Sequence, residues 1–216
     1  MSDSISKLIQ NHLLFKKEFF QENTEKRKLF KELSKGQTPE ICVIACSDSR
    51  VDPAIITNSK PGELFVIRNV ANIVPPCEYG DNGYHGTSAA IEFAVSFLKV
   101  KHIILLGHTE CGGIASLFND EDKYKNNQNF IDKWMAVAKE SKYKIMHDHI
   151  NESTEHKIKM CMQMSILNSL SNLLTFPFVK DAVNAGTLNI NCWYFDLQDG
   201  TIYQLDKKTN MFSVLS

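Results

Sequence analysis

The sequence predicts an α/β fold: a central, mostly parallel β-sheet flanked by helices, preceded by an N-terminal helical arm. Three observations predict it. Ile41-Cys42-Val43-Ile44-Ala45, Leu64-Phe65-Val66-Ile67 and His102-Ile103-Ile104-Leu105-Leu106 are short, continuous apolar runs with β-branched content, the pattern of strands buried on both faces. Between the second and third lies a segment of helical period, Thr87–Lys99, with Ala90, Ile91, Ala94, Val95 and Leu98 as its apolar positions. Buried strands alternating with helices give a parallel sheet through crossover connections. Finally, the first and third runs empty into polar turns, Cys46-Ser47-Asp48-Ser49-Arg50 and Gly107-His108-Thr109-Glu110-Cys111-Gly112-Gly113, at the strand ends where open parallel sheets bind ligands.

Taken in order, residues 4–34 read as helical, with Ile5, Leu8, Ile9, Leu13, Phe15, Phe19, Phe20, Leu29, Phe30 and Leu33 set among Lys and Glu. Such an apolar face packs on the domain or on a neighbouring subunit, or lies on a membrane surface. The breaker Lys35-Gly36-Gln37-Thr38-Pro39 ends this arm, so residues 1–35 form the arm and 36–216 the α/β domain. Beyond the third strand, 127–140 and 156–174 read as helices. Asn189–Phe195 and Thr201–Leu205 read as closing strands around an Asp199-Gly200 turn, and Asn119–Asn129 is polar enough for a mobile loop.

Composition narrows the function. The chain has 216 residues, 43% hydrophobic and 23% charged, with 24 Lys+Arg against 25 Asp+Glu, an ordinary folded domain rather than a disordered chain. A net charge of −1 lacks the basic excess of a nucleic-acid binder. No apolar stretch approaches the ~18 residues of a membrane span, and Met1–Gln10 lacks the apolar core of a secretion signal. The expected location is the cytoplasm.

Six cysteines, Cys42, Cys46, Cys77, Cys111, Cys161 and Cys192, could pair as disulfides, but a chain this long can build its core without them. Cys46 closes the first strand, and His108 and Cys111 follow the third, close enough for one tight turn to wrap an ion. Two thiolates and an imidazole suit Zn²⁺, and three protein ligands leave a fourth position open, the mark of a catalytic site. Cys42 sits four residues earlier on the same strand, about 13 Å from Cys46 and beyond reach of the same ion. Cys77, Cys161 and Cys192 read as loop or core residues. Asp48 and Arg50 stand beside Cys46 at a spacing that lets them pair. Taken alone they are a salt bridge in a turn; next to a metal ligand, a carboxylate held ionised by a guanidinium can orient a metal-bound water. Cys111-Gly112-Gly113 opens a short helix whose free amides can hold an anion. No phosphate-loop lysine follows, so nucleotide binding is discounted.

Cys46-Ser47-Asp48-Ser49-Arg50, Pro61-Gly62-Glu63, Arg68-Asn69-Val70-Ala71-Asn72 and Gly107–Gly113 together resemble, in order and spacing, the plant-like subgroup of the β-class carbonic anhydrases, over roughly residues 4 to 205. The resemblance implies one Zn²⁺ per subunit on Cys46, His108 and Cys111, with the Asp48–Arg50 dyad orienting a zinc-bound hydroxide. It implies reversible hydration of carbon dioxide to bicarbonate and a proton. Gln37 then hydrogen-bonds substrate, Phe65 and Val70 line an apolar pocket, and the Gly112 amide holds an anion. It further implies a four-stranded, mostly parallel sheet with a fifth strand appended. Self-association as a dimer or tetramer follows, with the arm reaching across to the partner subunit; nucleic acid and membrane are not expected partners.

The chain departs from family patterns in two places. The other main subgroup binds regulatory bicarbonate with a Trp, Arg and Tyr; here Arg68 remains, but Val43 and Phe195 occupy the other two positions. Phe93 stands where the plant-like subgroup often has Tyr, on the wall of the substrate pocket. Two thiolates donate more charge than three imidazoles, so an alkaline preference is expected. Three rivals remain beside this reading: a related zinc hydrolase acting on carbon disulfide, a non-catalytic zinc protein, and a thiol redox protein, the last without a Cys-x-x-Cys to support it. The proton-shuttle residue is open; His85 and His102 read as ordinary surface or strand-edge histidines.

Overall fold

The computed structural model describes residues 3–79, 83–119 and 129–215. They divide into two compact units, Met1–Thr38 and Pro39–Ser216, so the boundary falls three residues beyond the expected one.

In the first unit the expected helix 4–34 is two helices, α1 (Asp3–Phe19) and α2 (Glu25–Leu33). The break has a local cause. Asn23 adopts φ 62°, which turns the chain, and Thr24 then caps α2 by accepting a hydrogen bond from the Arg27 amide. Phe15, Phe19, Phe20 and Phe30 cluster across the break, with ring centroids 4.6 to 6.1 Å apart. Lys26 and Arg27 lie over the Phe19 and Phe20 rings. No residue of α1 is buried, and Ile5, Leu8, Ile9, Leu13 and Leu14 are exposed.

In the second unit the described residues form a six-stranded sheet in the order β2-β1-β3-β4-β5-β6. Its strands are β1 (Ile41–Cys46), β2 (Leu64–Asn69), β3 (His102–His108), β4 (Asn189–Phe195), β5 (Ile202–Asp206) and β6 (Met211–Val214). The first four are mutually parallel, while β5 and β6 add antiparallel. The sixth strand exceeds the expected five. It is four residues long and largely exposed, too short to show a period in sequence.

β1 and β3 are buried on both faces, as their continuous apolar runs predict. β2 corrects the reading: it is the edge strand, and Ile67 is its one buried residue. One face of the sheet carries Cys42, Ile44, Ile103, Leu105, Ile190, Cys192 and Tyr194 into the main core. They pack there with Ile91, Ile166, Leu173 and Val179 of α4 (Gly86–Glu92), α8 (Thr154–Leu173) and α9 (Pro177–Asn184). The other face gathers Val43, Ala45, Ile104 and Leu106 with Ile41, Leu64, Trp193 and Phe195, and with Ile56 of α3 (Pro53–Ile56).

α5 (Gly112–Ser116), α6 (Phe130–Met135) and α7 (Lys139–Asp148) complete the helices described. The expected helix 127–140 begins at Phe130 and is interrupted by a 3₁₀ turn, Ala136–Ala138. Of the expected loop Asn119–Asn129, residues 120–128 lie outside the described residues. α3, α9 and all of α7 beyond residue 140 were not expected, although α3 and α9 each carry proline at the first turn. The helix after β2 also departs from the expected regularity. Past Glu92 it widens into a π turn, Phe93–Phe97, with the Leu98 amide donating to the Phe93 carbonyl. The turn brings Phe93 and Phe97 into a stack at 5.6 Å, and Phe93 reaches Phe65 on the edge strand at 5.9 Å.

Candidate metal centre and active site

Because β1 and β3 are neighbours in parallel register, their carboxyl ends open side by side. The Sγ atoms of Cys46 and Cys111 and a ring nitrogen of His108 lie within 4.8 Å of one another. Among the described residues this is the only group of three or more His, Cys, Asp or Glu that could hold a metal ion. All three side chains are buried.

The chemistry of the set fits zinc. His108 Nδ1 pairs with the Thr109 carbonyl at 2.7 Å, which places the ring proton there and leaves Nε2 as a lone pair. That Nε2 is buried with no hydrogen-bond partner, an orphan a cation would satisfy. Cys46 Sγ accepts the Ala71 amide at 3.3 Å and is also approached by the Asp48 amide. The Cys46 thiol is pushed down to about 4, chiefly because Cys111 donates a hydrogen bond to it, with burial opposing. Cys111 is correspondingly pushed up, first by that same bond to Cys46 and then by burial. A divalent cation would take both sulfurs as thiolates and displace the thiol protons.

The thiols the sequence assigned to the core behave differently. Cys42, Cys161 and Cys192 are fully buried and burial alone, as the leading cause, pushes each up to about 12.

Two glycines let the ligand loops approach. A Cβ on Gly107 would stand 2.6 Å from Ile166 Cδ1, and one on Gly113 would meet Val70 Cγ1 at 2.9 Å and the Ala71 Cβ at 3.1 Å. Gly112, in contrast, faces open space at the first position of α5. The turn after β2 is strained: Ala71 and Asn72 adopt φ 63° and 47°, left-handed conformations that side chains disfavour. The strain aims the Ala71 amide at Cys46. Asn69 holds the turn, donating to the Ile73 carbonyl and accepting the Ile73 amide, both at 2.9 Å.

The dyad is formed. Arg50 Nε donates to Asp48 Oδ1 at 2.9 Å and Nη2 to Oδ2 at 2.7 Å, a bidentate pair. Nη2 also donates to the Glu110 carbonyl at 3.0 Å, tying the β1 loop to the β3 loop. The Arg50 side chain therefore holds the Asp48 carboxyl well below the usual carboxylate range, against some desolvation. The carboxylate is an acceptor at any pH near neutrality.

Of the expected pocket residues, Val70 and Gly112 are at the site. Phe65 and Phe93 are not brought to it within this chain. Phe65 pairs in register with Cys42, four residues before Cys46, and so about 13 Å along the sheet; Phe93 lies against it, the rings tilted. Gln37 belongs to the Met1–Thr38 unit and is exposed. Val43 and Phe195, at the positions of the regulatory triad, lie in the second core face. Arg68 is bonded to the loop after β1.

Sequence reasoning missed four contributors: Ala71 by its amide, Asp52 as cap of α3, the Thr109 carbonyl, and Trp134, whose Nε1 donates to the Val70 carbonyl at 2.8 Å. Only Asp52-Pro53 carried a signal, the capping residue followed by proline at the first helical position.

Residues 41–202 match the family model described as carbonic anhydrase. A curated relative, beta carbonic anhydrase 6, mitochondrial, from Arabidopsis thaliana, is 35% identical over 91% of this chain. This chain spans 66% of that relative's length. Among solved structures, the β-carbonic anhydrase CcaA superposes with a TM-score of 0.90 at 31% identity, over 100% of this chain and 93% of that one. One of two tetrameric β-carbonic anhydrases from Sordaria macrospora does so with 0.81 at 29% identity, over 94% and 98%. The shared sheet, the matched strand-end motifs and a Cys-His-Cys cluster suited to zinc thus agree with one another: this chain belongs to the β-class carbonic anhydrase family.

Proposed function

We propose that this protein is a zinc-dependent carbonate dehydratase that reversibly hydrates carbon dioxide to bicarbonate and a proton. The observation that carries the reading is the buried Cys46–His108–Cys111 cluster, with its orphaned His108 Nε2, standing beside an Asp48 carboxylate locked by Arg50. Cys46, His108 and Cys111 would hold zinc, which when bound supplies a Lewis acid able to make water nucleophilic near neutral pH. The chain does the rest. Asp48 accepts a hydrogen bond from the nucleophile and fixes its orientation, and Arg50 keeps that carboxylate ionised and aimed. Val70 offers an apolar wall where carbon dioxide needs no hydrogen bonds.

Phe65, Phe93 and Phe97 form an aromatic ladder beside the open edge of β2, and Phe97 is 69% exposed. We assign self-association to this edge, supported by the tetrameric relatives. Phe65 and Phe93 then act as pocket walls for a neighbouring copy rather than for their own chain. The exposed apolar positions of α1 suit packing on a partner subunit in the same assembly. Six free thiols accord with a reducing compartment, for which we propose the cytoplasm.

The deciding experiment is metal analysis and stopped-flow carbon dioxide hydration on one preparation. One zinc per chain with hydration supports the reading; a zinc-loaded protein inert between about pH 7 and 9 leaves a structural metal instead. Carbon disulfide turnover without carbon dioxide turnover would select the other hydrolase. Phe97→Glu should shift the sedimenting species to a smaller one, and an unchanged mass would remove the edge from the interface.

A further inference from the structure

We propose that Arg68 is a positioning residue that holds the Cys46–Asp52 loop, and through it Asp48, in the reactive arrangement. The proposal rests on the hydratase reading only for its kinetic readout.

Arg68 projects from β2 opposite Ala45, one residue before the metal ligand. Its three kinds of nitrogen reach three points along the loop. Nε donates to the Cys46 carbonyl at 3.0 Å, Nη2 to the Asp48 carbonyl at 2.6 Å and Nη1 to Asp52 Oδ2 at 3.0 Å. These points are the ligand's own backbone, the backbone of the dyad carboxylate, and the cap of α3. Asp52 Oδ1 meanwhile accepts the Ala54 and Ile55 amides, so the loop's far end is anchored to a helix.

Besides Arg68, the loop is held by Val51, buried in the main core, and by a few hydrogen bonds. Backbone bonds here are Ser47 to the Asn69 carbonyl at 2.8 Å and Val51 to the Asp48 carbonyl at 3.2 Å. Asp48 and Arg50 are close in sequence and bond each other, which fixes their pairing but not where the pair sits. Arg50 reaches outward only to the Glu110 carbonyl. Among the described residues, Arg68 is the one side chain that bonds the loop at three separated acceptors, which its rigid fork matches as a lysine ammonium could not. The same bonds, with a carboxylate at one end, leave Arg68 unsuited to receive an anion. In this chain the arginine serves the loop.

The test is a double-mutant cycle between Arg68→Ala and Asp48→Asn, read in two ways on metal-loaded protein: hydration kinetics with zinc, and the visible absorption bands with cobalt(II) in its place. Arg68→Ala should keep one metal per chain and lower kcat by about 30-fold, with KM moving far less, the scale of a small misplacement at a reacting centre. Adding it to Asp48→Asn should cost little more, because both changes disable one group. The cobalt bands should shift in Arg68→Ala and not shift again in the double variant. Arg68→Lys should behave like Arg68→Ala, and it replaces that variant in the cycle if Arg68→Ala does not fold. Additive losses, or wild-type kcat in Arg68→Lys, overturn the proposal. If the wild-type protein does not hydrate carbon dioxide, the proposed function falls, while the cobalt cycle still decides the role of Arg68.

Discussion

The two loops that build the metal centre are held by opposite means. The β3 loop, Gly107 to Gly113, is held by packing: Gly107 lies against Ile166, Gly113 against Val70 and Ala71, and His108 is 1% exposed. The β1 loop, Cys46 to Asp52, is held by charge: Arg50 clasps Asp48 and Arg68 spans the loop to Asp52. The Arg50 side chain is 51% exposed, whereas His108 of the other loop is buried. The difference suits the division of labour. A metal needs ligands at fixed distances, which close packing enforces. A carboxylate that orients a nucleophile by accepting its hydrogen bond needs to stay ionised, which a guanidinium partner provides.

The comparison is broken most severely by removing a ligand. His108→Ala should empty the metal site and bring hydration to background; retained zinc by metal analysis would show that the packed loop does not set the ligand cage. Asp48→Asn should leave metal content and fold unchanged while lowering kcat by about 100-fold, the scale of a misoriented reacting group. Unchanged turnover would deny the charged loop its role.

Stability should separate the loops next. Gly107→Ala forces a methyl into the buried Ile166 side chain and should destabilise by about 1–3 kcal/mol, by thermal unfolding, with no dependence on salt. Asp52→Ala removes the cap of α3 and one Arg68 bond and should cost about 1 kcal/mol. That smaller loss should shrink as salt screens the Arg68–Asp52 pair. Equal salt response in the two variants would erase the distinction between packing and charge.

The smallest effect is acid dependence. Asp48 is held below its ordinary pKa by Arg50, so its contribution is complete above the unfolded value of about 3.9 and is lost as pH falls toward the folded one. The stability gap between wild type and Asp48→Asn should therefore be constant above about pH 5 and close below about pH 4. Because the pair is part-exposed the gap is modest; a gap that widens in acid would reverse the assigned sign.

How much of this was legible in the residue order depends on distance along the chain. β1 and β3, the grouping of Cys46, His108 and Cys111 and the Asp48–Arg50 pair were readable, because each rests on neighbours. Continuous apolar runs mark two-sided burial, and the chemistry-bearing residues stand within a few positions of a strand end. β2 read as buried when it is the edge, since hydrophobicity reports that a surface is covered and not by what. α9 and β6 were overlooked for want of length, and α3 despite its Asp-Pro start. Tertiary structure alone decided that Ala71 lends its amide to Cys46 across 25 residues, and that Arg68 reaches back 22 and 20 residues to two loop carbonyls. It also decided that Phe65 lies in register with Cys42, beside Phe93, rather than at its own chain's Cys-His-Cys cluster. Those are consequences of register and of which strands become neighbours, and a parallel sheet fixes them only when distant segments pair.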